Sequence, residues 1–283
     1  MALEKVRNIL RMADEANTSA IAFNCTTYSM MDSIAKVAEE LKKPVIIMLD
    51  PVHNFECNAV GLGGFIAAAH EVANSVSVPI GVHLDHSTEF TYIVKALKYG
   101  VTSVMYDGSR LSLEENFENT KKVVEVAKVF DADVEAELGR VGFAKDNDQE
   151  KLDMYTKVDV ADWFCKETGV ASCAIAIGSA HGVYKEEPKL DLKRLEEINA
   201  ATKTPLVLHG GSGIPDDQLE IAFKNGINKF NVGTEFFQTY YDAISDFCKE
   251  RGAEGNVFDM PAFTQARLKD YLRKKLQISK ITL

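Results

Sequence analysis

The sequence predicts an α/β protein of the (β/α)8, or TIM, barrel class, on three observations: eight short apolar runs, amphipathic segments between them, and no composition break along the chain. The runs are 20–25 (AIAFNC), 44–49 (PVIIML), 79–85 (PIGVHLD), 103–107 (SVMYD), 133–138 (DVEAEL), 171–178 (ASCAIAIG), 205–210 (PLVLHG) and 229–233 (KFNVG). Each has the length of a strand buried on both faces. Between them, Met30–Leu41, Tyr92–Tyr99, Asn116–Phe130, Val160–Thr168, Leu192–Ala200 and Asp217–Asn225 space their apolar residues near the helical period. Met1–Asn17 reads as an extra N-terminal helix, and the stretch after Gly255 as a C-terminal helical extension, so residues 1–283 are expected to form a single domain. The competing architecture, an open doubly wound sheet, would normally place a Gly-x-Gly-x-x-Gly turn after its first strand; Phe23-Asn-Cys-Thr-Thr has none.

Composition narrows the function classes. The chain is 46% hydrophobic and 26% charged with a formal net charge of −10, which argues against a nucleic-acid or anionic-membrane surface. Any phosphate must then be held by local groups. Cys25, Cys57, Cys165, Cys173 and Cys248 are odd in number and widely spaced, so buried reduced thiols are expected rather than a disulfide framework or a thiolate metal site. The N-terminus is amphipathic rather than signal-like, and no apolar run reaches membrane-spanning length, so a cytoplasmic protein is expected.

A parallel barrel carries its chemistry at the C-terminal ends of its strands. Polar residues collect there: Asn24, Asp50, Asp85 with His86, Asp107, Glu135 with Glu137, His181, His209 and Asn231. Four of the six histidines lie in three such stretches, His83-Leu-Asp-His86, Gly-Ser-Ala-His181-Gly and Leu-His209-Gly-Gly-Ser-Gly. A lone histidine there is more often a hydrogen-bonded loop or core residue; several together point to a metal site of the catalytic Zn²⁺ type, in which neutral imidazoles leave a position open. Alternation puts His83 and Asp85 on one face, with His86 pointing differently or leaving the strand. Glu135 and Glu137 also share a face, and two carboxylates inside a barrel require cations, donors or protons; a purely structural ion-pair network with Lys or Arg is the alternative. Gly210-Gly-Ser-Gly213 and Asn231-Val-Gly-Thr234, which follow the last two strands and open a helix, offer backbone N–H groups and hydroxyls to a phosphate.

Six segments together resemble the class II, zinc-dependent ketose-bisphosphate aldolases, best known for the fructose- and tagatose-bisphosphate enzymes. They are His83-Leu-Asp-His86, Ser103-Val-Met-Tyr-Asp-Gly-Ser109, Val134-Glu-Ala-Glu-Leu-Gly139, Gly178-Ser-Ala-His-Gly-Val-Tyr-Lys185, Leu208-His-Gly-Gly-Ser-Gly213 and Asn231-Val-Gly-Thr234. The resemblance runs in order from Phe23-Asn24 to Thr234. It implies Zn²⁺ on His86, His181 and His209, with Asp107 and Glu137 supporting an alternative metal position and Asp85 the proton-transferring acid/base. Gly182, Gly210, Ser212, Asn231 and Thr234 match positions that hold dihydroxyacetone phosphate. A monovalent cation is the second ion considered, a sugar phosphate the partner, and a homodimer or homotetramer the expected assembly.

The implied chemistry suits these groups. Retro-aldol cleavage leaves an enediolate that a three-imidazole zinc can stabilise, and a carboxylate such as Asp85 can take the proton of the hydroxyl that becomes the aldehyde. Three departures from the family pattern bear on activity. The loop after Gly139 normally reads Gly-Gly-x-Glu-Asp, its glutamate a proposed base for the carbon-bound proton; here it reads Gly142-Phe-Ala-Lys145-Asp146, leaving Asp146, Asp148 and Glu150 as candidate bases. Asp50 followed by Pro51 replaces the serine or threonine near the distal phosphate, which makes Asp50 a candidate specificity residue. Phe258-Asp-Met-Pro-Ala262 lacks the arginine usual for that phosphate. The expected function is therefore a zinc aldolase whose aldehyde differs from glyceraldehyde 3-phosphate. The alternative is a catalytically weak homologue that binds metal and sugar phosphate in a regulatory or assembly role.

Overall fold

Eight parallel strands close into a barrel in the computed structural model, which describes residues 2–51, 61–143, 154–182, 184 and 187–283. In chain order the strands are β1 (Ala20–Asn24), β2 (Val45–Leu49), β3 (Ile80–Ser87), β4 (Ser103–Tyr106), β5 (Asp133–Leu138), β6 (Gly142–Phe143), β7 (Ser172–Ile175), β8 (Ala180–His181), β9 (Leu206–Leu208) and β10 (Ile227–Val232). The barrel runs β1-β10-β9-β7-β5-β4-β3-β2, and β6 and β8 form a separate parallel pair above it. The expected architecture is therefore present. The one displaced element is the strand expected to end near His181: β7 stops at Ile175, and His181 belongs to β8. Gly178, at φ +110, turns the chain between them.

The six expected amphipathic helices form within two or three residues of their predicted ends. A helix at Leu62–Asn74 was not marked in the sequence: two glycines occupy its first turn, although Leu62, Phe65, Ile66, Ala69, Val72 and Ala73 form a regular buried stripe. The N-terminal helix is shorter than expected, Val6–Glu15, and buries Val6, Ile9, Leu10 and Ala13, the i, i+3, i+4, i+7 stripe of an amphipathic helix. That stripe packs on Ala20, Ala22, Ile46 and Met48 and plugs the N-terminal mouth of the barrel. Arg7 ties the helix to β5, its Nη1 donating to Asp133 Oδ1 at 2.8 Å. The C-terminal helix, Met260–Gln277, packs against both Tyr28–Leu41 and Thr234–Arg251 and buries Leu268, Leu272 and Leu276. Cys25, Cys165 and Cys173 are buried and unbridged, as expected; Cys248, on the outer face of Thr234–Arg251, is exposed instead. No helix among the described residues is long and apolar enough to cross a membrane.

Because side chains alternate along each strand, every second residue points into the barrel. Part of the interior is apolar, with Met105, Ala174 and Val207 packed together. Beside these residues in the strand register the interior is ionic. Lys229 Nζ donates to Glu135 Oε2 at 2.9 Å, both side chains fully buried, and Ser172 Oγ donates to the same oxygen at 3.2 Å. The structural reading of Glu135 as one half of a buried ion pair is thus the one realised. Lys229 lies on the inward face with Asn231, two positions on, and that spacing was the available sign of its role.

A buried pair of this kind is costly to break because the survivor is left charged without a partner. Replacing Lys229 with Met is expected to destabilise the fold by about 3–5 kcal/mol, and adding Glu135→Gln to recover part of the loss. Denaturant unfolding of the single and double variants measures this; a single variant as stable as the parent would show that the pair carries no such constraint.

Candidate active site

Three histidines converge at the C-terminal mouth of the barrel. His86 stands in β3 at a register shift between Leu84 and Ser87, with φ +39. A left-handed backbone is unfavourable for a side chain of this size, by about 1–3 kcal/mol. The distortion re-aims His86 away from the regular alternation, so that consecutive Asp85 and His86 both face the site. His209 follows β9 directly. Gly210, at φ +66, lies so near β8 that an added Cβ would stand 2.5 Å from the Ala180 carbonyl oxygen, which is why glycine is needed where His181 is brought alongside His209.

Ligand nitrogens of His86, His181 and His209 lie within 4.8 Å of one another. The rings stand edge to face, with centroids 4.9 Å apart for His86 and His181, 4.6 Å for His86 and His209, and 6.0 Å for His181 and His209. Interplanar angles of 77°, 82° and 87° make the three rings nearly mutually perpendicular. His86 Nε2 and His209 Nδ1 face each other at 2.9 Å. Two of the rings are braced from behind: His86 Nδ1 meets Asp107 Oδ2 at 3.2 Å, and His209 Nε2 meets Glu135 Oε1 at 2.9 Å. Carboxylates behind imidazoles fix tautomer and orientation in metal sites. His83, by contrast, turns its Nδ1 to Ser103 Oγ at 2.8 Å inside the barrel, and His70 bonds the Gly100 carbonyl; neither joins the cluster. His53 lies outside the described residues.

The electrostatics suit a cation. Burial alone would lower the basicity of His86, but Asp85, the Asp107 hydrogen bond and Glu137 raise its pKa to about 10. Burial, helped by His86, holds His181 down to about 4, and the same causes hold His209 well below its ordinary value. Two rings are therefore neutral bases, the form that ligates, while the carboxylates concentrate negative potential on the third. Burial and the charge of Asp107 push Glu137 up to about 7; its Oε1 accepts the Val141 N–H at 2.8 Å. His86, Asp107 and Glu137 also form a second group with metal-ligand spacing. The donor set and its carboxylate surround fit a divalent ion such as zinc.

Asp85 lies beside the cluster and is buried. Its Oδ2 accepts from Asn24 Nδ2 at 2.9 Å and its Oδ1 from Asn231 Nδ2 at 3.5 Å. Burial alone would raise its carboxyl pKa; His86, His209 and Lys229 outweigh burial and hold it below the ordinary value. The remaining oxygens of Asn24 and Asn231 are buried and meet no donor among the described residues. Asp50, one residue past β2, is near enough for its charge to act on His181.

Of the glycine-rich positions, Gly182, Ser212 and Thr234 line one cavity of about 670 Å³ together with Gly213. Gly210 stands at its edge, its carbonyl accepting the Tyr184 hydroxyl at 2.9 Å, and Asn231 faces Asp85 and His209 instead. Sequence reasoning did not single out Tyr184, Glu235 or Lys275, which also line this cavity. The pattern that could have found Glu235 is an acidic residue in the first turn of the helix opened by Thr234. Phe258–Ala262 forms an exposed turn into the C-terminal helix. Lys145, Asp146, Asp148 and Glu150 lie outside the described residues.

Known proteins resemble this chain in sequence and fold. D-tagatose-1,6-bisphosphate aldolase subunit GatY of Klebsiella oxytoca is 35% identical over 277 residues, 96% of this chain and 95% of that protein. The crystal structure of the YdjI aldolase from Escherichia coli K12 superposes with a TM-score of 0.87 at 30% identity, over 99% of this chain and 98% of that one. The fructose-bisphosphate aldolase (Fba) of Campylobacter jejuni, at 20% identity, shares the fold with a TM-score of 0.83 over 99% of this chain and 96% of its own. The family described as fructose-bisphosphate aldolase class-II matches residues 4–281, and the chain belongs to it: it is a class II aldolase, a carbon-carbon lyase.

Proposed function

We propose that the enzyme is zinc-dependent and reversibly cleaves a ketose phosphate to dihydroxyacetone phosphate and an aldehyde, with His86, His181 and His209 holding the metal. The carrying observation is the set of three nearly perpendicular imidazoles, two with a carboxylate braced behind them. Zinc there would supply Lewis-acid stabilisation of the negative charge that develops as the carbon-carbon bond breaks. Asp107 and Glu137, sharing His86, offer an alternative metal position.

Asp85 takes the proton of the hydroxyl that becomes the aldehyde and returns it on condensation. Its depressed pKa keeps it ionised, and Asn24 and Asn231 hold its two oxygens in place. Gly182, Ser212 and Thr234 hold the phosphate of the three-carbon half, with Gly210 and Asn231 linking that cavity to the histidines. The fixed separation of phosphate and metal groups would set the reacting carbons in register. Unbridged buried cysteines fit a reducing cytoplasm, and exposed Val257 and Phe258 fit a homodimer or homotetramer; the Klebsiella relative is itself named as a subunit.

The decisive experiment is a screen of aldehydes for condensation with dihydroxyacetone phosphate, with and without a chelator. Activity is expected with zinc and none after chelation. Alanine at His86, His181 or His209 should remove most bound zinc by elemental analysis; full occupancy in any of the three would displace that residue from the ligand set. Asp85→Asn should keep zinc but lose a factor of about 10²–10⁴ in kcat, and near-normal turnover would move the proton role elsewhere.

By its name the Klebsiella relative acts on a 1,6-bisphosphate. Asp50 argues for a different tail in this enzyme. Two like charges about 4 Å apart at an effective dielectric of 20 cost about 4 kcal/mol, close to a thousandfold in specificity. The preferred aldehyde is therefore less anionic at its distal end than glyceraldehyde 3-phosphate. Asp50→Ser is expected to raise kcat/KM for fructose or tagatose 1,6-bisphosphate relative to analogues with unphosphorylated tails. Parent enzyme that cleaves either bisphosphate at about 10⁴ M⁻¹s⁻¹ or faster would contradict this.

A further inference from the structure

We propose that Tyr184 is a positioning residue of the metal centre, its hydroxyl fixing the separation of His181 and His209. The inference rests on the reading of His86, His181 and His209 as a zinc site. These three ligands arrive on separate segments: β3, β8 and the turn that follows β9. A metal tolerates an error of only about 0.5 Å in their spacing, so whatever joins the segments holds the site. His181 and His209 are the widest pair, with ring centroids 6.0 Å apart against 4.9 and 4.6 Å for the other two. The strand that carries His181 has two residues and pairs with a strand of two, Gly142 beside Ala180 and Phe143 beside His181. So short a ladder holds a ligand weakly by itself.

Tyr184 supplies the missing tie. Its hydroxyl accepts the Ala180 N–H at 2.6 Å and donates to the Gly210 carbonyl at 2.9 Å. Ala180 immediately precedes His181, and Gly210 immediately follows His209. One phenol thus forms a rung between the β8 backbone and the turn after β9, each contact one residue away from a ligand. Accepting one bond while donating the other requires a protonated phenol. Burial pushes its pKa up to about 12, so the proton stays in place at neutral pH. The hydroxyl is itself held in position. Gly182, at φ +98, turns the chain after His181 so that the side chain of residue 184 reaches back to residue 180. The ring packs on the barrel core and lies against Gly213, where an added Cβ would stand 3.2 Å from its Cδ2.

Docking the loop for stability alone is the competing role, and metal binding separates the two. Tyr184→Phe removes the hydroxyl and keeps the ring. Zinc affinity is measured by competition with a chromophoric chelator, ligand geometry by the visible spectrum of the cobalt(II)-substituted protein, and stability by the melting temperature of the metal-free protein. Tyr184→Phe is expected to raise the zinc dissociation constant about 10–100-fold, the usual effect of losing a group that orients metal ligands, and to change the cobalt(II) spectrum. Arg7→Met, which loosens the opposite mouth of the barrel, is expected to lower the melting temperature and leave both metal readouts at parent values. Zinc affinity within about twofold of the parent in Tyr184→Phe, or an equal loss in Arg7→Met, would overturn the assignment of Tyr184 alone. Should Tyr184→Phe not fold, amide exchange in the zinc-loaded parent decides: the Ala180 N–H is expected to exchange with D₂O about a hundredfold or more slower than an open loop amide, and free exchange there would equally overturn the assignment. A parent that takes up neither zinc nor cobalt(II) would overturn the functional reading of the histidines, and this inference with it.

Discussion

The active site hangs on one buried ion pair. Lys229 and Glu135 meet inside the barrel without access to water, and the carboxylate that neutralises the ammonium also holds His209 through its other oxygen. A single carboxylate therefore serves both the fold and the site, and neither partner can be changed alone without leaving a bare charge in a low-dielectric interior. Replacing such a pair with hydrocarbon is often neutral for stability. Here the pair also fixes which His209 nitrogen faces His86, a task no hydrocarbon could perform. Burial of charge in this barrel is thus explained by orientation rather than by net stabilisation.

The other two histidines are positioned by backbone devices. His86 stays in its strand only through a register shift and a positive φ, and His181 arrives on the short β8 strand that pairs with β6 above the barrel. Regular alternation would have sent Asp85 and His86 to opposite faces. The irregularity lets neighbouring residues serve the same site, one as carboxylate and one as imidazole. Strain of about 1–3 kcal/mol is small beside the burial of a plugged, eight-stranded core, so the fold can hold the distortion where the chemistry needs it.

Much of this was legible in the chain. Apolar runs and helical spacing gave the barrel, because strands buried on both faces and helices buried on one leave different periods. The convergent histidines and the carboxylates around them were visible as polar residues at strand ends. Three things were not. Leu62–Asn74 carries a stripe from Leu62 to Ala73, but the two glycines of its first turn argue against a helix there. The placement of His181 depends on the β6–β8 pairing, a long-range contact with no local signal. The partners of Glu135 and Glu235, Lys229 and Lys275, lie about 94 and 40 residues away and are unremarkable lysines in isolation. Parity within Ile227–Val232 could have raised Lys229; nothing in Met260–Gln277 distinguishes Lys275 from its neighbour Lys274 until the helix is docked.

Charge distribution links the two halves of the site. The carboxylates Asp85, Asp107 and Glu137 that raise His86 basicity make the mouth of the barrel attractive to a dication and, by the same field, repulsive to phosphate. On the proposed function the two are kept apart. The histidine cluster draws on β3, β8 and the end of β9, while the glycine-rich cavity is built one step further round the barrel, on the turn after β9 and the helix after β10. Asp50 lies on the other flank, next to β1 and β3, where its charge acts on His181. The asymmetry lies in that placement: one side of the histidine cluster adjoins the glycine-rich turn and the other carries an extra carboxylate. On the proposed function, that asymmetry favours a substrate with a phosphate at one end only.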